Sequence, residues 1–186
     1  MRSRLSKHWR NWVALWDHHE HPKVLGCIRI FVGLTLLYDF LYIAHLDLVE
    51  PLFAPNTVGG ISNVMDRPEL PLIFRIFPAT VATAQWMHGL ICLAAFLFVI
   101  GLFTRTSGVL LLLLYAQSAL IVPLGDRGID LMMRNAVLIL IFSRCGAWGS
   151  VDARIRTGSF WGNGEDAPAW PRHLLILQLI VMYFAA

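Results

Sequence analysis

Among the charged side chains inside or at the ends of long apolar runs are Arg29 and Asp39 in one, Asp130 and Arg134 in another. Charge within a bilayer is costly unless paired, so these residues are the first candidates for chemistry. At 1.5 Å per helical residue, Asp39 sits about 10 Å from the far end of its run, and Arg134 about 8 Å in from the same side. Matching depth and opposite sign predict an Asp39–Arg134 ion pair between two helices. Arg29, about 6 Å from the opposite end of its run, is expected to snorkel toward water. Asp130 precedes Arg134 by four residues and shares its helical face. Gln85 and His88 are three apart on another run, and Tyr38 and Tyr42 four apart on the first. Together they define a candidate polar pocket of Asp39, Tyr42, Gln85, His88, Asp130 and Arg134. Two readings stay open: a cavity that handles a proton, a carboxylate or a quinone-like head group, or a buried polar network that holds helices together.

Other chemistry is thinly represented. A lone imidazole in a spanning helix is the usual ligand for haem or a chlorophyll-type pigment, which makes His88 a candidate for either. His18, His19 and His21, with Asp17 and Glu20, match no standard zinc spacing and read as a solvated helix end. Cys27, Cys92 and Cys145 form no CxxC pair and read as small apolar packing residues. The sequence has no phosphate loop, nucleophile elbow or metalloprotease helix. The only lysines are Lys7 and Lys23, outside the apolar runs, so no lysine base sits within them. No catalytic residue and no metal ligand is assigned.

The elements that carry these residues follow from composition. The 186 residues are 57% hydrophobic and 15% charged, with mean hydropathy +0.62. Soluble domains are about 45–50% apolar and about 25% charged, so disorder is disfavoured. A net charge of +3 is too small to imply nucleic acid as a partner. A spanning helix needs roughly 20 mostly apolar residues. Residues 25–46, 80–103, 106–123 and 129–148 qualify as spans. A fifth run from 174 to 186 gives about 20 Å of helix, short of the roughly 30 Å hydrocarbon core. The expected fold is an all-α polytopic membrane bundle of four full spans and a partial fifth.

Before the first span, Leu5, Trp9, Trp12 and Trp16 fall at helical spacing, with Lys7 and Arg10 off that stripe. Trp9, Trp12, Trp16, Lys7 and Arg10 thus predict an amphipathic helix lying on a lipid interface, ended by Pro22. Residues 1–22 form that element and 23–186 the transmembrane domain, with an outer loop over 47–78 and an inner loop over 149–171. Residues 70–77 suit a short surface helix within the outer loop. No cleavable signal peptide is visible. Ten Lys or Arg fall on the N-terminal side of the bundle and three on the other, which predicts a cytoplasmic N-terminus, as in a bacterial inner membrane.

Several stretches occur in a telling order: RIFVGLTLLYDFLY at 29–42, GLFTRTSG at 101–108, GDRGIDLMMR at 125–134, WGSVDARI at 148–155 and WPRHLLILQLIVMYFAA at 170–186. This order resembles the HTTM family, the membrane domain similar to the vitamin K-dependent gamma-carboxylase, over nearly the whole chain. The resemblance implies a multi-helix membrane fold, with an active site on the outer side in the carboxylase. It places a catalytic lysine just after the equivalent of Tyr183–Ala185, beyond the last residue here, and a functional histidine at the position of Asp130. A weaker resemblance is to DoxX-like membrane proteins, some of which serve quinone-linked oxidoreductases. The expected function is therefore a scaffold or accessory subunit of a larger membrane complex, with lipids and other membrane subunits as partners. The alternative is a membrane enzyme, or enzyme fragment, acting on a quinone-like or lipidic substrate in the polar pocket.

Overall fold

The computed structural model describes residues 9, 12–14, 16–66 and 68–185. Among them the chain is almost wholly helical. Helix α1 spans Lys23–His45, α2 Val49–Phe53, α3 Leu72–Ile76, α4 Val81–Ile100, α5 Thr104–Ile121, α6 Gly128–Phe142, α7 Val151–Thr157 and α8 Trp170–Ala185. α1, α4, α5 and α6 close a ring in which each packs on the next and α6 returns to α1; α8 lies against α6. The core between them holds Leu36, Phe40, Ile91, Phe98, Leu111, Val137 and Leu140, all at most 4% exposed.

Three helices, α1, α4 and α5, are long and apolar enough to cross a membrane. The expected fourth run is shorter as a helix than as a hydropathy segment. α6 stops at Phe142 because the chain turns at Ser143, whose hydroxyl and the Cys145 thiol both donate to the Leu140 carbonyl. Its 15 residues cover about 22 Å. α8, with 16 residues, is similarly short. The short helix expected over 70–77 forms at Leu72–Ile76.

At one end of the ring, the turn between α4 and α5 meets the connection between α6 and α7. α4 ends on Gly101, whose φ of 69° is left-handed. Leu102 N–H donates to the Leu97 carbonyl at 3.0 Å and Gly101 N–H to that of Phe98 at 3.2 Å, which satisfies the last carbonyls of the helix. The Asp152 carboxylate then accepts from the amides of Phe103 (2.9 Å) and Thr104 (2.7 Å) and from the Thr104 hydroxyl (2.7 Å), capping α5 from a distant segment. Ser150 caps α7 by accepting from Ala153 N–H. Arg29 threads into the same junction. It is fully buried and donates to the Gly149 carbonyl at 2.5 Å. The expected snorkelling is thus corrected: the loop carbonyl comes to the guanidinium, and the side chain does not reach water.

The segment around His19 also departs from expectation. His19–Glu20 is not a helix end but a short strand paired antiparallel with Ala167–Pro168, and Glu20 holds Arg172 by an ion pair at 2.8 Å. Pro22 caps the start of α1. Trp9, Trp12 and Trp16 have helical backbone, with neighbouring rings 5.6 and 5.7 Å apart. Trp16 contacts His173 at the start of α8, so one tryptophan of the expected lipid-facing stripe packs on protein. Lys7 and Arg10 lie outside the described residues.

At the other end of the ring, the loop after α2 folds over α5, where the Ser62 hydroxyl donates to the Ile121 carbonyl. Gly60 makes this possible, since a Cβ there would stand 1.7 Å from the Ala54 carbonyl oxygen. Gly60→Ala is expected to displace residues 54–64 and detach Ser62 from α5. Limited proteolysis in detergent should then cut within this loop markedly faster than in the parent.

Candidate functional site

The polar groups predicted to share one pocket assemble only in part. Gly128 begins α6, with Arg127 as its cap residue and Asp130 in its first turn. Asp130 accepts from Arg127 N–H (2.8 Å) and Arg127 Nε (3.0 Å) on one oxygen, and from the Tyr115 hydroxyl (2.8 Å) and Arg127 Nη2 (3.3 Å) on the other. A carboxylate has roughly four acceptor sites, so this one is saturated. It pins the start of α6 to α5.

Arg134 does not pair with Asp39. Its guanidinium holds Asp126 by two parallel bonds of 2.7 Å each and lies over the Tyr115 ring, 5.2 Å from the centroid. The physical reason is the Pro123–Gly125 turn, which folds Asp126 back over the first turns of α6 and brings a carboxylate within fork-to-fork reach. Asp39 is half-buried and faces a cleft of about 150 Å³ between α1, α5 and this turn, lined also by Phe40, Phe53, Ser118 and Arg127.

This pairing is testable by double-mutant cycles in detergent. Arg134→Gln with Asp126→Asn should show a coupling of roughly 1–3 kcal/mol. The cycle of Arg134→Gln with Asp39→Asn should stay below about 0.5 kcal/mol. The opposite ranking would restore the Asp39–Arg134 pair.

The other predicted members sit elsewhere. Tyr42 is exposed and stacks on Tyr38 at 5.9 Å, on the outer side of α1. Gln85 is exposed, although His88, three residues on, is buried. His88 lies behind the cleft, between the rings of Phe40 (5.7 Å) and Phe53 (5.9 Å), with Nε2 3.7 Å from the Cys92 sulfur. Those rings occupy the space a porphyrin-type macrocycle would need, so the residues do not fit the haem or pigment expectation. Among the described residues no group of three His, Cys, Asp or Glu is placed to hold a metal.

The sequence reading missed Tyr115, Asp126 and Arg127. Asp130 was legible as an acid in the first turn of a helix, but Arg127 has no side-chain acceptor and gave no capping signal. Tyr115 gave no local signal, and Asp126 meets Arg134 only through the turn between them. No family model, curated protein or solved structure matches the chain.

Proposed function

We propose that the protein is a non-catalytic integral membrane subunit, a scaffold of HTTM-like build that works within a larger membrane complex. Its charged groups are organised as internal clamps. The observation that carries this reading is the engagement of two members of the predicted pocket: Asp130 accepts from Tyr115 and Arg127, and Arg134 holds Asp126. A general base must offer a free lone pair near a substrate, and Asp130, which the resemblance aligns with the carboxylase's functional histidine, offers none. The adjoining cleft of about 150 Å³ is also smaller than the roughly 300–1,000 Å³ typical of small-molecule sites.

In this reading α6, with the turn that follows it, forms the fourth crossing and α8 a partial fifth. The N-terminus is cytoplasmic, by the ten-to-three distribution of Lys and Arg, as in a bacterial inner membrane. The large exposed side chains of α8, among them Leu177, Ile180, Val181 and Phe184, face lipid or neighbouring subunits.

Purification in mild detergent, followed by mass spectrometry of the intact assembly, tests the reading. The expected result is a fixed stoichiometry with other membrane proteins, retained in His88→Ala and lost with the apolar surface of α8 (Leu177→Glu with Val181→Glu). A monomeric protein carrying one bound quinone or lipidic substrate, released by Asp39→Asn, would overturn it in favour of the enzyme alternative.

A further inference from the structure

At the opposite end of the bundle, beside the Asp152 junction, the structure opens a cleft of about 440 Å³. Its walls come from the first turn of α5 and from the Ser143–Ala147 turn and α7. Three guanidinium groups, Arg105, Arg144 and Arg156, line it against one carboxylate, Asp152. That carboxylate is already engaged by Phe103 and Thr104, so it also closes the N-terminus of α5 to any other anion.

The donors are not used up. A guanidinium carries five N–H groups. Arg156 spends Nε and one Nη2 hydrogen on the carbonyls of Asp152 and Gly146. Arg144 spends one each of its Nη1 and Nη2 hydrogens, on the Asp166 carbonyl and Glu165. Arg105 has no hydrogen bond or ion pair among the described residues. Ser143 and Thr106 add hydroxyls to the lining. Forked arginine donors around a polar cavity match the geometry of phosphate oxygens. The rim is apolar: Phe103 is 69% exposed and Ile155 70%.

We propose that this cleft binds a phosphate group, with an anionic phospholipid headgroup as the source that the surroundings favour. The arginines take the phosphate oxygens, and the exposed Phe103 and Ile155 border the acyl chains. In the orientation set by the charge distribution, this is the cytoplasmic leaflet, where anionic lipid attracts basic residues. The inference needs a membrane-embedded bundle and is independent of whether the protein is a subunit or an enzyme.

Native mass spectrometry of the purified protein tests it, with phosphatidylglycerol and phosphatidylcholine of equal chain length added in parallel. One phosphatidylglycerol should be retained roughly tenfold better than phosphatidylcholine. Arg105→Gln should abolish most of that preference, since a charge-assisted hydrogen bond is worth about a factor of ten or more. Arg105→Lys, which keeps the charge without the fork, should fall between. Arg75→Gln, at the other end of the molecule, should change nothing. Displacement of the lipid by millimolar inorganic phosphate would assign the site to soluble phosphate as well as to lipid. Retention of both lipids unchanged by Arg105→Gln, with no binding of inorganic phosphate, would overturn the proposal. So would an Arg75→Gln effect as large as that of Arg105→Gln.

Discussion

Alanine at position 101 should lower the thermal unfolding midpoint of the detergent-solubilised protein by roughly 5–15 °C. Two independent costs add there. Gly101 has φ of 69°, and a left-handed conformation costs an L-residue with a side chain about 1–2 kcal/mol. The added methyl would also stand 1.7 Å from Arg29 Nη1 and 2.4 Å from Ser150 Cβ, in a junction where Arg29 is fully buried. Forcing such a group into a packed site costs a further ~1–3 kcal/mol. For a chain of this size each kcal/mol moves the midpoint by about 2–4 °C. Far-UV circular dichroism during a thermal ramp reads the change. A midpoint within about 2 °C of the parent would mean that the turn and Arg29 rearrange freely.

Asp152→Ala is expected to be comparably severe, at roughly 2–4 kcal/mol. The substitution removes a helix cap, worth about 0.5–2 kcal/mol, and leaves the Thr104 hydroxyl and two amides without an acceptor, at about 1–3 kcal/mol for a buried donor. Asp152→Asn keeps one acceptor oxygen and should fall between the alanine variant and the parent. The same carboxylate gives the junction a pH dependence. Burial pushes its pKa up, but the hydrogen bonds from the Thr104 hydroxyl and amide and the Phe103 amide outweigh this and hold it below its ordinary value of 3.8. A lowered folded-state pKa means that the stabilisation is fully present above that ordinary value and disappears as pH falls through the folded value. Acid titration of the unfolding midpoint should therefore show a decline below about pH 4 that is smaller in Asp152→Asn.

Much of the architecture was legible because hydropathy is a local sum. Runs of about 20 apolar residues announce α1, α4 and α5 without reference to any neighbour. Ser150 and Asp152 were visible only as part of the WGSVDARI stretch at 148–155, and their duty was not. Ser150 caps its own helix three residues on, whereas Asp152 caps α5, 48 residues earlier in the chain. The depth matching that predicted an Asp39–Arg134 pair was sound as far as depth goes, since both residues lie toward the same end of the bundle. It failed on competition from a nearer carboxylate, Asp126, which takes both forks of Arg134.

What the sequence determined by itself is the set of long elements: which runs of about 20 residues are helical and apolar enough to cross a membrane. These depend on residues adjacent in the chain or one helical turn apart. The tertiary structure alone decided the partners of the buried charge. Arg29 reaches Gly149, Asp152 reaches Thr104, and Arg134 reaches Asp126 around a turn. An ion pair or a cap forms over a few ångströms, so it is chosen by where turns such as Gly101 and Pro123–Gly125 return the chain, and no spacing along the sequence specifies that distance.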